Sequence, residues 1–270
     1  MEKTIRKLCK QIEKEKNIKI LFCVESGSRV WRMHSEDSDY DVRFVYYRPI
    51  QEYLKIDSPG DVITKAYNKD GEPMSQEGCF FDFSGFDIFK FARMLHSSNP
   101  TVIEWLRSDI LYAGSPPEIF IDFAENHFKP ISLYYHYKSM CKQNYLKYLK
   151  SGNLVTYKKY LYAMRGLINA RFIAATEKLP PIDFNNTLQL ILKYNIPLCI
   201  VPTKIIGKIE EIIKLKKEGK EKDIVQNIVS IDNYIEEFLK DDSDAPENIK
   251  SSVMNRELND EIWKIIKRWQ

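Results

Sequence analysis

Two aspartates that stand one residue apart, Asp39 and Asp41, are the residues best suited to chemistry, because they open an apolar run at residues 40–47. On a β-strand the side chains of residues i and i+2 point to the same face, so both carboxylates are aimed at one point. Like charges held that close repel unless a cation lies between them, and carboxylate oxygens are ligands that Mg²⁺ prefers. The pair therefore predicts a magnesium site at the start of a strand.

A glycine and a serine, Gly27 and Ser28, follow an earlier apolar run at residues 18–24. Glycine allows a close approach of the backbone, and the serine hydroxyl and amide suit a phosphate at a turn that leads into a helix. A lone Asp-x-Asp is more often a polar turn. The strand and the Gly-Ser pair that precede Asp39 favour a phosphate and metal site instead.

A third carboxylate is expected from a neighbouring strand. Asp82, at the end of the apolar run at residues 77–83, is our choice for this ligand. Asp87 comes after Ser84 and Gly85, where we expect a helix to begin, and there it would stabilise the helix dipole rather than bind metal.

The periodicity of apolar residues predicts the elements that must position these side chains. Expected strands cover 18–24, 40–47, 61–67 and 77–83, and expected helices between or before them cover 2–16 and 87–95. Expected helices of the second half cover 117–127, 131–150, 156–176, 203–218, 223–239 and 253–269. This order predicts an α+β protein with a mixed catalytic domain at 1–115 and an all-helical domain at 116–270.

The amino-acid composition excludes several classes of protein. The 41 Lys and Arg residues nearly balance the 38 Asp and Glu residues, which excludes a globally basic nucleic-acid coat protein. Hydrophobic residues make up 44% of the chain and exclude a disordered protein, while no apolar run reaches the length of a membrane span. The charged N-terminal segment has no signal-peptide pattern, so we expect a cytoplasmic protein without a membrane partner. The oligomeric state is left open.

The five cysteines are odd in number and scattered, with no Cys-x-x-Cys pair. This pattern argues against a disulfide framework and against a zinc site. They are expected to be buried thiols in a reducing compartment, and Trp31 and Trp105 are expected to anchor the core.

Five segments carry a likeness to a known family: GSRVW at 27–31, DSDYDVRF at 37–44, DIFK at 87–90, NPTVIEWL at 99–106 and KKYLYAMR at 158–165. In this order they resemble the RlaP family of predicted nucleotidyltransferases in the DNA polymerase β superfamily, some of which are linked to RNA repair. The likeness covers most of residues 18–180. Arg32 departs from it, because members commonly have glycine there, and a positive φ is the expected reason for that glycine.

The resemblance implies metal-dependent transfer of a nucleoside monophosphate from an NTP, with ATP as first choice, to an acceptor hydroxyl and the release of pyrophosphate. It implies two Mg²⁺ or Mn²⁺ ions, one held by Asp39 and Asp41 on the triphosphate and one held by the same pair with Asp82. Gly27 and Ser28 would bind the β and γ phosphates.

Two arginines near the motif, Arg29 and Arg43, are expected to neutralise charge on the phosphates. For Arg43, the alternative to this phosphate role is an outward position on the strand or an ion pair with Asp37, and the phosphate role and this alternative have equal weight.

Basic and aromatic residues of the helical half are further nucleotide-binding candidates: Lys158, Lys159, Tyr162 and Arg165. The helical domain of such enzymes closes over the nucleotide cleft, so the resemblance implies that these side chains reach the nucleotide. The alternative is a tyrosine-rich packing face with lysine side chains that reach water. The lysines and tyrosines of 131–150 suit RNA stacking and helix packing equally well.

The sequence leaves the acceptor open. RNA, with tRNA or a repaired RNA end in first place, is favoured by the resemblance. A protein hydroxyl, a small molecule such as an aminoglycoside, and a non-catalytic nucleotide-binding or RNA-binding module are the alternatives. Three converging carboxylates count against the non-catalytic module, because they repel one another without metal.

Overall fold

A computed structural model describes residues 1–57, 59–152, 155–194, 201–243, 245–247 and 255–269. The strands are β1 Lys19–Ser26, β2 Tyr40–Tyr47, β3 Val62–Tyr67, β4 Phe81–Asp87 and β5 Leu111–Gly114. The helices of the first half are α1 Glu2–Lys16, α2 Gly27–Val30, α3 Ile50–Tyr53, α4 Ile88–His96, α5 Pro100–Leu106 and α6 Glu118–Asn126. Those that follow are α7 Pro130–Asn144, a π-helix at Tyr145–Leu149, α8 Tyr157–Thr176, α9 Phe184–Tyr194, α10 Thr203–Lys217, α11 Val229–Lys240 and α12 Asn255–Lys267.

Within the described residues, the strands form one mixed sheet in the order β3-β4-β2-β1-β5. Strands β2 and β4 are parallel, and the other neighbours are antiparallel. The predicted α+β class is therefore confirmed. The parallel pair matters most for the candidate site, because parallel strands begin at the same edge of a sheet.

Helices cover both faces of the sheet, because apolar side chains alternate along its central strands. On β1, Cys23 belongs to the core that α1 closes with Ile5, Leu8 and Ile12. The next side chain toward the N-terminus, Phe22, points the other way and meets Phe91 of α4, with ring centroids 5.6 Å apart. The sheet thus lies between α1 on one side and α4 on the other.

The chain divides into two compact units. The sheet unit comprises residues 1–30, 38–128 and 251–270, and the helical unit comprises 31–37 and 129–250. This division differs from the expected one at 115/116, because α6 packs on the helices of the sheet unit through Phe120, whose ring lies 5.6 Å from that of Phe91. Helix α12 also contacts α4 and α6.

Strand β4 begins and ends later than the sequence suggested. The expected strand at 77–83 stopped at Ser84 and Gly85, but the observed strand continues through them to Asp87. A Cβ on Gly85 would lie 2.1 Å from Cε2 of Phe44 on β2. The glycine therefore serves cross-strand packing rather than a turn, and the expected strand end was wrong.

Several smaller expectations are confirmed. Asp87 is the N-cap of α4, where its side chain accepts a hydrogen bond from the amide of Phe89 at 3.0 Å. Trp105 is 2% exposed and stacks on Phe86 in the core. Four of the five cysteines are buried and free, and Cys199 lies outside the described residues.

The long helix expected at 131–150 is an α-helix that changes to a π-helix at Tyr145. In the part of the chain that the structure describes, the helices lack the combined length and apolarity that crossing a membrane requires.

Candidate active site

Asp41 and Asp82 face each other across the parallel strands. Asp41 of β2 stands in register with Asp82 of β4, each being the second residue of its strand. Neighbouring strands lie about 4.8 Å apart, so the two carboxylates share one end of the sheet. Their side chains are 29% and 26% exposed, which leaves them accessible but shielded from bulk water.

The guanidinium of Arg43 lies between these carboxylates. Its Nη2 donates hydrogen bonds to Oδ1 of Asp41 at 2.8 Å and to Oδ2 of Asp82 at 2.9 Å. Its Nη1 donates to the backbone oxygens of Asp82 at 2.7 Å and of Val42 at 3.1 Å. The ion pair that was considered for Arg43 had Asp37 as its partner, and that partner was wrong, because the register of β2 and β4 places Asp41 and Asp82 beside the guanidinium.

Gly27 approaches Asp41 more closely than any other residue type could. Its φ is +65°, and a Cβ there would lie 2.0 Å from Oδ2 of Asp41. Ser26, the last residue of β1, pairs with Asp41 in the sheet, so the chain turns away directly beside the carboxylate. Ser28 follows in α2 and is 8% exposed. The sequence prediction that glycine permits a close approach at this turn fits these contacts.

Arg29 is held against the beginning of β2. Its Nε donates to the backbone oxygen of Asp39 at 3.2 Å, and its Nη2 donates to the backbone oxygen of Ser38. The guanidinium carbon lies 3.8 Å from the ring centre of Tyr40. Arg29 thus ties α2 to the segment that carries Asp39, and its role toward phosphate stays a prediction.

Asp39 is exposed and precedes β2. The buried thiol of Cys79 has a raised pKa, first through burial and then through the negative charges of Asp82, Asp39 and Asp41. All three aspartates therefore lie within electrostatic reach of one sulfur atom. Among the described residues, however, no three carboxylate, imidazole or thiol groups form a ready-made metal cluster. Asp41 and Asp82 converge, and the participation of Asp39 stays a prediction.

Glu25 is a site residue that sequence reasoning missed. This carboxylate is 0% exposed; its Oε1 accepts a hydrogen bond from the amide of Asp41 at 2.8 Å, and its Oε2 accepts one from the hydroxyl of Tyr112. Burial is the main reason that the pKa of Glu25 is raised to about 7, and the charge of Asp41 adds to it. The signal that could have found it is an acidic residue at the end of an otherwise apolar strand.

The candidates from the helical half lie in the helical unit. Lys158 pairs with Glu221 at 3.5 Å, and the Nζ of Lys159 lies 4.5 Å from the ring centre of Tyr148. Their roles as nucleotide ligands stay predictions.

Trp31 packs against the other two candidates of this helix. The Arg165 guanidinium, in a residue that is 4% exposed, lies 3.6 Å from the ring centre of Trp31, and Tyr162 meets the same ring edge to face. Trp31 is buried, as expected. These contacts support the packing alternative for Tyr162 and Arg165.

Arg32 occupies the position at which the resemblance led us to expect glycine. Its φ is +59°, in the left-handed region that side chains with a Cβ rarely adopt. The inference that this turn requires a positive φ is confirmed. The backbone has this positive φ although the residue there is arginine.

Comparison with known proteins identifies the family of this chain. Residues 1–263 match the model of the RlaP family, described as the RNA repair pathway DNA polymerase beta family, and the chain belongs to that family. Its sheet and family membership define a nucleotidyltransferase-like protein.

Two proteins are similar to this chain. An uncharacterized protein, YcgL of Bacillus subtilis (strain 168), is 32% identical over 266 residues, which cover 94% of this chain and 95% of that protein. A crystal structure of a nucleotidyltransferase-like protein from Exiguobacterium sibiricum 255-15 aligns with 87% of this chain and 74% of its own at 12% identity. Its TM-score of 0.28 is too low for a comparison of sites.

Proposed function

We propose that this protein transfers a nucleoside monophosphate from an NTP, with ATP as first choice, to a hydroxyl of RNA and releases pyrophosphate. The observation that carries the proposal is the in-register pair of Asp41 and Asp82, with Gly27 packed directly against Asp41. Two carboxylates beside a glycine turn combine cation binding with room for a phosphate.

The donor set fits a divalent metal ion. Carboxylate oxygens of Asp41 and Asp82 already meet at one cationic nitrogen of Arg43, so the place between them suits positive charge. Asp41 and Asp82 would hold Mg²⁺ or Mn²⁺, with Asp39 as the third ligand and two ions in the complete site. Bound metal would polarise the α-phosphate and lower the pKa of the acceptor hydroxyl.

Other residues would bind and orient the substrate. The Ser28 hydroxyl and the amides after Gly27 would hold the β and γ phosphates. Arg29, fixed to the backbone at Ser38 and Asp39, would keep that turn beside the carboxylates. Lys158 and Lys159 remain candidates for contacts with the nucleotide, whereas the contacts of Tyr162 and Arg165 with Trp31 favour packing. The acceptor hydroxyl would lose its proton to water, and its oxygen would bond to the α-phosphorus as the bond to the pyrophosphate oxygen breaks.

RNA is proposed as the acceptor because the family is described as part of an RNA repair pathway. Transfer RNA and cleaved RNA ends are the first substrates to test. The small net charge of the chain is compatible with an RNA acceptor. Acidic and basic residues that face each other around an NTP site contribute opposite charges, which cancel in the net charge.

The test is incubation of the protein with Mg²⁺ or Mn²⁺, each labelled NTP in turn, and transfer RNA, total RNA or total protein. We expect label on RNA, and we expect Asp41→Asn and Asp82→Asn to reduce transfer at least about 100-fold. Asp70→Asn, at an exposed turn of the sheet unit, is the matched control and should keep full activity.

Three outcomes would contradict the proposal. Full transfer by Asp41→Asn would exclude the carboxylate mechanism. Label on protein or on a small molecule would replace RNA as acceptor. NTP binding without transfer under every condition would favour a binding module.

A further inference from the structure

Almost all N–H groups of the Arg43 guanidinium donate hydrogen bonds to the two aspartates and to the backbone of their strands. A guanidinium has five N–H groups, of which the two terminal nitrogens carry four. All four are accounted for by Val42, the backbone and side chain of Asp82, and the side chain of Asp41, at 2.7 to 3.1 Å. Arg43 therefore has no terminal N–H left for a phosphate while this arrangement persists.

Nη2 contacts one oxygen of each carboxylate, and the other oxygen of each has a different neighbour. The second oxygen of Asp41 points at Gly27, as the 2.0 Å distance to a Cβ there shows. The second oxygen of Asp82 accepts a hydrogen bond from Nε2 of Gln76 at 3.1 Å. Nη2 of Arg43 thus stands at the point where the two carboxylates converge.

Electrostatics requires a cation at this point. Two carboxylates in register repel each other, and at 29% and 26% exposure water screens them only in part. The side chain of Arg43 is 17% exposed and supplies one positive charge to two negative ones. A divalent ion on the same oxygens would repel the guanidinium, because both are cations within a few ångströms of each other.

We infer that Arg43 is a resident cation that holds Asp41 and Asp82 together in the metal-free protein, and that a divalent metal ion binds there in competition with it. The inference rests on the metal site of the proposed function and adds a positioning role for Arg43. When metal binds, the guanidinium of Arg43 moves out from between the two carboxylates. Only then are its N–H groups able to donate hydrogen bonds to a phosphate.

The test measures binding of Mn²⁺ and Mg²⁺ to the full chain by calorimetry, without nucleotide. Arg43→Gln removes the competing charge, and we expect it to bind metal about tenfold more tightly than the wild type. Arg43→Lys keeps the charge and should bind with an affinity close to that of the wild type. Arg48→Gln is the matched control, because Arg48 follows the same strand and its Nε lies 3.9 Å from Asp87 instead. Its metal affinity should not change.

A second measurement needs no neutral variant and covers the case in which Arg43→Gln does not fold. The side-chain nitrogen resonances of Arg43 in the wild type, assigned by their loss in Arg43→Lys, should shift and broaden as metal saturates the site. Unchanged resonances at saturation would overturn the inference.

The metal affinities distinguish a failure of the competition by Arg43 from a failure of the proposed function. Equal or weaker metal binding by Arg43→Gln, with clear binding by the wild type, would overturn the competition and leave the proposed function standing. Absence of metal binding in the wild type and in every variant would overturn both.

Discussion

Burial gives the Glu25 carboxylate a different role from that of the neighbouring Asp41 carboxylate. Glu25 and Asp41 lie at opposite ends of one hydrogen bond, from the Asp41 amide to Glu25. Glu25 is fully buried, and burial favours its neutral form, whereas Asp41 keeps a guanidinium partner. Glu25 can therefore fix the backbone of β2 beside the site, while Asp41 offers its oxygens to a cation.

The pH dependence of stability should report the burial of Glu25. Its pKa rises from 4.5 to about 7 on folding, so its contribution to stability is fully present below pH 4.5 and is lost as the pH rises through about 7. Between these limits the free energy of unfolding of the wild type should fall by about 3 kcal/mol relative to that of Glu25→Gln, which does not titrate. Urea unfolding of both proteins in EDTA, across this range, makes the measurement. Parallel profiles would show that Glu25 titrates normally.

At the scale of elements, the parallel pair β2 and β4 brings the two aspartates together, and close packing fixes its register. Gly85 pairs with Phe44, and their contact leaves no space for a Cβ on Gly85. A shift of one residue would turn Asp82 to the other face and separate it from Asp41. The glycine at the middle of β4 thus contributes to a site three residues away in the sequence.

Gly85→Ala should destabilise the sheet unit. The new methyl group would meet the buried ring of Phe44 at 2.1 Å, and such overpacking typically costs about 1–3 kcal/mol. Gly60→Ala is the control, because no atom lies within 4 Å of a Cβ there. Chemical denaturation of both variants measures the difference. A Gly85→Ala protein as stable as the control would show that Phe44 can move aside at no cost.

At the scale of the whole molecule, the sheet unit is discontinuous in the sequence. Helix α12 contacts α4 and α6, about 150 residues earlier in the chain. Its apolar side chains are buried there, with Ile265 1% exposed and Ile266 3% exposed. Folding of the sheet unit therefore depends on a segment that the sequence places after the helical unit.

Ile265→Ala should weaken the sheet unit rather than the helical unit. Truncation of a buried isoleucine typically costs about 2–5 kcal/mol. Lys264→Ala, at a side chain that is 66% exposed, is the control and should change stability by less than about 0.5 kcal/mol. Hydrogen exchange identifies the unit affected, because faster exchange should appear in α4. Faster exchange confined to α8 would contradict this assignment.

Much of the fold follows from local patterns. Apolar runs bounded by turn residues predicted β1, β2 and β3 closely, and helical spacing predicted α1, α8 and α10 to within about two residues. The aspartates and the Gly-Ser turn were predicted from the chemistry of their side chains, and the five motif segments identified the family, which the comparison confirms.

Some features depend on contacts that are distant in the sequence. Strand β5 has four residues, too few for a periodic signal, and exists because it pairs with β1. The later end of β4 depends on Phe44, a residue of another strand. These features have no local signal because the stabilising partner is far away along the chain.

The sequence by itself determined which residues can do chemistry here, because residue type sets the available ligands, charges and hydrogen-bond donors. Only the tertiary structure decided how they act together. It placed Arg43 between Asp41 and Asp82, buried Glu25 beneath the Asp41 amide and returned α12 to the sheet unit. Each of these depends on the pairing of strands or the packing of helices, and the free energy of such contacts comes from surfaces that meet only after folding.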